Sequence, residues 1–275
     1  MKKQLITVVT IACLVCLTGG LFAQGGNEFT IPLTDPAKRG KLKAHLNSGS
    51  ITVKGTARKD VLVRYKSEEE ENDHDHDRDK DKSKDGLKRV SGGGMDLEGA
   101  ENNNYVVVQS DSWNGSLNLE IEVPLGFDLE AHTYNDGDLM VTNLQGKVEL
   151  TNYNGEITAL NISGSVVATT YNGEIKVTFD KVAEDSPMSF ITYNGDVDLT
   201  FPATFKASTK MKTEQGEIYT GFEMNIVSTG PKQVEDKKGK GYRIVIDDWK
   251  KGDINGGGAE VTVKTQNGDI YLRKK

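Results

Sequence analysis

Glycines recur at a fixed interval. Gly137, Gly146, Gly155, Gly164 and Gly173 are each nine residues apart. Three sit in tyrosine corners: Tyr134-Asn135-Asp136-Gly137, Tyr153-Asn154-Gly155 and Tyr171-Asn172-Gly173. The two between are plainer, Leu144-Gln145-Gly146 and Ile162-Ser163-Gly164, so the full unit is eighteen residues. A short fixed period marks stacked units, none of which can bury its apolar side alone. Asn-Gly and Asp-Gly supply the positive φ that tight corners require.

The residues between the glycines identify the repeating element. Two after each glycine stands Leu139, Val148, Ile157, Val166 or Ile175, and four after stands Val141, Leu150, Ala159, Ala168 or Val177. The odd positions are mostly polar. This is the period of a half-buried strand. Six after come Asn143, Asn152, Asn161 and Thr170, expected to point inward and to bond a like residue in the next layer. The pattern predicts an all-β, single-chain β-solenoid or β-helix-like repeat with two strands per turn. Like corners at eighteen residues would then stack at roughly 4.8 Å. Hairpins also alternate strand and turn, so an antiparallel β-sandwich or roll is the alternative.

The period extends outward. Gly49-Ser50-Ile51-Thr52-Val53 meets it early, and Trp113-Asn114-Gly115 puts tryptophan in the tyrosine place. Tyr193-Asn194-Gly195 and Glu214-Gln215-Gly216 continue it with longer spacings, which loops at 183–187 and 202–205 accommodate. Gln266-Asn267-Gly268-Asp269-Ile270 closes the chain, so the last repeat is expected at an edge, capped by the preceding strand or by Arg273, Lys274 and Lys275. Residues 230–241 read as a loop before a strand at 242–246, and 255–258 as a flexible link.

Residues 1–23 read as a signal peptide: Lys2 and Lys3, an apolar run from Leu5 to Leu17, and small residues up to a cleavage point after Ala23. The alternative is an uncleaved anchor, which would provide the only membrane contact. Cys13 and Cys16 both fall here, and Thr10-Ile11-Ala12-Cys13 fits a lipidation signal poorly. The expected product is exported to the periplasm, outer surface or medium, and the mature chain has no disulfide to hold it. With 34 basic against 41 acidic residues, Lys2 and Lys3 among the former, it is a poor match for nucleic acid.

The remainder, 24–275, reads as one β-repeat domain carrying an acidic, disordered insert at 67–104. Within the insert His74, Asp75, His76 and Asp77 offer imidazole and carboxylate ligands to a divalent metal. A solvated loop is the plainer reading, because nothing fixes a geometry.

No nucleophile elbow, phosphate loop or metalloprotease motif is present, and no cofactor is implied. Two ladders remain. Tyr134, Tyr153, Tyr171 and Tyr193, with Trp113, would line one edge, either as a ligand-binding surface for sugar rings or as rings packed on one another. Asp138, Glu156, Glu174, Asp196, Glu217 and Asp269 follow the corner glycines. They could hold calcium, but they lack the paired glycines of the calcium nonapeptide, and a solvated edge that deters strand pairing is the plainer reading.

The serial Asn-Gly-Glu/Asp-Ile/Val corners, Gly49-Ser50-Ile51, and Gly256-Gly257-Gly258 followed by Asn267-Gly268-Asp269-Ile270 together resemble the bacterial exported "putative adhesin" family of unknown function. The resemblance covers about residue 30 to the end and implies a solenoid-like fold with no catalytic residues to carry over; the acidic insert departs from it. The expectation is a non-enzymatic, adhesin-like binding scaffold that meets a glycan or a cell-envelope protein through its Tyr/Asn edge. A structural envelope protein without ligand and a polysaccharide-degrading β-helix enzyme are the alternatives.

Overall fold

A computed structural model describes residues 27–68, 96–113, 115–228, 232–235, 242–245 and 248–275. Every regular element among them is a strand. The leader at 1–23 and the tract holding His74, Asp75, His76 and Asp77 lie outside the described residues.

The chain winds as a flattened coil with two facing sheets. One turn runs up Lys147–Asn152 on the second sheet, rounds a tyrosine corner, and continues along the start of Ile157–Thr169 on the first. That long strand bends at its middle. Its first part pairs in parallel with Leu139–Thr142 and Ile175–Val182, its last part with Lys147–Asn152 and Met188–Ile191. The body of both sheets is parallel, which excludes the antiparallel sandwich. Within these two sheets the antiparallel strands among the described residues lie towards the ends. Glu28–Pro32, Asp60–Glu68 and Glu98–Asn102 cover one end, while Lys250–Ile254 and Val227–Ser228 cover the second sheet at the other.

Alternation puts one side of each strand between the sheets. On the first sheet Ile51, Leu139, Ile157, Ile175, Val197 and Ile270 stand directly opposite one another, layer upon layer, and all are buried. Phe179, Phe201 and Phe205 add a ring stack at one side of this core, with centroids 5.0 and 4.1 Å apart. Burial of such side chains contributes about 1.5–3 kcal/mol each. In a chain with no described disulfide, it is the main term opposing chain entropy.

Chain order and spatial order differ at both ends. The coil 41–56 lies between 105–124 and 128–142. The coil 260–274 lies between 188–201 and 207–220. The final repeat is therefore interior and Ile218–Thr220 is the outer strand of the first sheet, correcting the expectation that the last corner forms an edge. Both inserted coils are parallel to both neighbours, as any body coil is.

Other readings change locally. Asn143 and Asn161 do not point inward. They adopt φ of 58° and 57° in the plain corners, with Asn161 Nδ2 donating to Asn143 Oδ1 at 3.0 Å. Asparagine tolerates this left-handed conformation, and the turn hands the inward place to Leu144 and Ile162. The insert is ordered at both margins: Asp60–Glu68 runs through residue 67, and Glu98–Asn102 turns at Asn103 and Asn104 into Tyr105–Ser110. Lys232–Glu235, expected within a loop, pairs antiparallel with Tyr242–Val245.

Candidate functional site: the tyrosine corner

The tyrosine corners form a vertical edge. A Cβ placed on Gly137, Gly155, Gly173, Gly195, Gly268 or Gly216 would meet backbone of Gly49, Gly137, Gly155, Gly173, Gly195 or Gly268 at 2.0–2.2 Å. Backbone therefore lies directly on backbone. At Gly155 and Gly173 the φ of 147° and 155° adds a second reason for glycine.

Just inside this column runs a line of hydroxyl and amide donors. Oγ1 of Thr133, Thr170, Thr192, Thr265 and Thr213 donates to the carbonyls of Gly49, Gly155, Gly173, Gly195 and Gly268, at 2.7–3.0 Å. Asn152 Nδ2 donates to Gly137 O at 2.9 Å. Each side chain satisfies the corner carbonyl of the layer below, not a like residue. The signal was present in the sequence: a Thr or Asn precedes every Tyr of the ladder, at a position whose parity points inward. Asn152 carries one defect, a buried Oδ1 with no partner.

Outside the glycines stands an asparagine ladder. Asn154, Asn172, Asn194 and Asn267 each donate Nδ2 to the Oδ1 of Asn135, Asn154, Asn172 and Asn194, at 2.6–3.0 Å. These amides orient one another as in cross-β stacks.

The tyrosines follow the same register. Tyr134–Tyr153, Tyr153–Tyr171 and Tyr171–Tyr193 have centroids 4.7, 5.1 and 4.8 Å apart and planes within 9°. Trp113 meets Tyr134 edge-on at 5.7 Å and is 63% exposed. The four tyrosines are 38–43% exposed. The structure thus brings all five sequence-expected aromatics together. Ring faces inside the stack are spent on neighbouring rings, Tyr193 has a ring on one face only, and what faces outward along the rest is a strip of ring edges.

The carboxylates form a third line. Asp138, Asp196 and Asp269 use Oδ1 to accept the backbone N–H of Glu156, Asp269 and Glu217, each at 2.8 Å. Short Asp side chains reach the next layer's backbone. Burial, then the charges of Glu156, Asp196 and Asp198, raise the Glu174 carboxyl above its ordinary range, with Lys176 opposing. Among the described residues no three His, Cys, Asp or Glu side chains converge as an ion site. Away from this edge, on the outer face of the second sheet, His45 and His132 are directly opposed with rings 4.9 Å apart. Burial, then His45 and Lys43, push the His132 imidazole below its ordinary value.

A search of curated proteins finds no match. Among solved structures, a "putative cell adhesion protein" from Clostridium sporogenes is similar, at 12% identity and a TM-score of 0.44, over 90% of this chain and 99% of that one. The family model described as Toastrack DUF4097 matches residues 16–273, nearly the whole sequence. The chain belongs to the Toastrack DUF4097 family.

Proposed function

We propose that this protein is a non-enzymatic, exported scaffold that binds a partner protein of the cell envelope through its tyrosine edge. The carrying observation is the in-register stack of Tyr134, Tyr153, Tyr171 and Tyr193, each held half-exposed by its neighbours. A tyrosine fixed in one rotamer before binding loses little entropy when a partner covers it. Tyrosine is also favoured at interfaces, where an apolar body and a polar tip both find contacts. A protein surface suits this strip better than a glycan does. Sugars stack on ring faces, and apart from one face of Tyr193 the faces within the stack are covered by other rings. A glycan would be left with that one face, ring edges and hydroxyls.

Absence of a catalytic motif in the sequence supports the non-enzymatic reading, and the leader-like residues 1–23 support export. The test compares the wild-type chain with a Tyr153→Ala/Tyr171→Ala variant in cross-linking to envelope proteins and on a glycan array. Loss of one cross-linked protein by the variant, at an unchanged melting temperature, is the expected result. Equal cross-linking by both chains clears the edge of this role. Tyrosine-dependent array binding without a protein partner transfers the reading to glycans.

A further inference from the structure

The coil 260–274 fills a slot made by segments that precede it. Met188–Ile191 and Ala207–Lys212 flank it on the second sheet, Val197–Phe201 and Ile218–Thr220 on the first. Without it, both flanking coils would present open parallel edges to each other. These edges require a strand, because unpaired backbone groups removed from water are costly.

The slot reads its occupant in detail. Thr265 Oγ1 donates to Gly195 O at 2.9 Å, and Asn267 Nδ2 donates to Asn194 Oδ1 at 2.6 Å. On the other side Thr213 Oγ1 donates to Gly268 O at 2.8 Å, and Asp269 Oδ1 accepts from Glu217 N at 2.8 Å. None of these contacts depends on the coil belonging to the same chain.

The coil also hangs on a hinge. Asn255, Gly256 and Gly257 have φ of 48°, 91° and 85° in succession. A Cβ added to Gly256 would touch nothing within 4 Å. The hinge arches over the start of Ala207–Lys212, because Lys250–Ile254 pairs with one side of that strand and Glu260–Lys264 with the other. Asn255 Nδ2 ties the near end down, donating to Ala203 O at 3.0 Å and Phe205 O at 2.7 Å. An independent coil behind a tethered glycine hinge is the arrangement from which subunits exchange identical elements.

We propose that residues 260–274 are an exchangeable coil, and that the partner for the slot is the same segment of a second copy of this chain. Two chains that each emerge with an empty slot can fill one another's, giving a two-fold dimer whose contacts repeat those of the monomer.

The test uses Ser189 and Thr262, directly opposed across a parallel pair. In a Cys13→Ser/Cys16→Ser background, one chain carries Ser189→Cys and a differently tagged one carries Thr262→Cys. Directly paired strand positions lie within disulfide reach. The two chains are refolded together from urea and then oxidised. A covalent dimer bearing both tags, of twice the monomer mass, is expected. In a second arm, deletion of Asn255, Gly256 and Gly257 leaves two residues to arch over the strand, so the deletion chain should run as a dimer by light scattering. Mixed chains that yield no two-tag dimer overturn the proposal even if the deletion chain fails to fold. A monomeric deletion chain in which the two substitutions, placed together, cross-link within one chain overturns it as well.

Discussion

The two edges of the coil solve one problem differently. At the tyrosine edge, corners from Gly49 to Gly216 stack backbone on backbone, with hydrogen-bonded side-chain columns on either side. At the opposite edge the turns at Leu125-Gly126-Phe127, Leu144-Gln145-Gly146 and Ile162-Ser163-Gly164 keep the short form. Further along, turns at 183–187, 202–206 and 255–259 replace them and surround a cavity of about 480 Å³, lined by residues such as Val182, Met188 and Phe205. The tyrosine edge keeps its close backbone stacking through every layer. The opposite edge keeps it only at its short corners, where a Cβ on Gly146 or Gly164 would meet the backbone of Phe127 or Gly146 at 2.0–2.1 Å, and beyond them relies on apolar packing, which can be stretched by a loop.

The comparison breaks most readily at a glycine. Gly155→Ala places a methyl 2.1 Å from Gly137 O at a φ of 147°. Roughly 4 kcal/mol or more of stability should be lost, or folding abolished. Gly126→Ala, in a turn on the opposite edge where an added Cβ meets nothing within 4 Å, should stay within about 0.5 kcal/mol. Urea titration of both measures the contrast, and similar losses would refute it. Next in size is Leu144→Ala. This wholly buried side chain sits at the packed edge, so a loss of about 2–5 kcal/mol is expected. A loss under about 1 kcal/mol would show that the opposite edge is not held by packing.

The same contrast explains what could be read from residue spacing. The nine-residue period gave strand, corner and coil because it reports backbone geometry, which is local. It could not give the order of coils. Gln266-Asn267-Gly268-Asp269 and Glu214-Gln215-Gly216-Glu217 are near-equivalent corners, and either completes the same ladder. Insertion of 260–274 between earlier coils is decided by connections such as the Asn255–Gly257 hinge, which carry no period. The tyrosine edge was legible, since identical residues at the repeat interval must stack. Offsets from glycine placed Asn152 and Thr170 correctly in the inward donor line and failed at Asn143 and Asn161, which the plain corners displace into the turn. Counting offsets from glycine assumed that parity survives a positive-φ residue, and there it does not.

Within the donor column a smaller pair of changes tests the hydrogen bonds. Thr170→Val removes the donor to Gly155 O and leaves that carbonyl without this partner, so about 1–2 kcal/mol should be lost. Thr169→Val, one residue earlier on the exposed face, should cost less than about 0.5 kcal/mol. Asn152→Thr goes the other way. It matches the neighbours Thr133 and Thr170, supplies a hydroxyl for Gly137 O, and deletes the orphaned Oδ1. A gain of about 0.5–1 kcal/mol is expected. Destabilisation by Asn152→Thr would mean that the amide does something the threonines do not.

The smallest effect lies in the carboxylate line and depends on pH. Burial first, and the acids stacked above and below second, lift Glu174 above its ordinary 4.5. A carboxyl whose folded value is raised holds its proton more tightly in the folded chain. Its stabilising contribution is complete below about 4.5 and is lost as pH rises through the raised value. Glu174→Gln keeps the shape and deletes the charge. At pH 7 the variant should melt slightly above wild type. The gap should close as pH falls below 4.5, and it should narrow in high salt because much of the side chain is reached by solvent. A gap that is constant from pH 7 to pH 4 would trace the gain to packing and remove the stacked carboxylates as a source of repulsion at this edge.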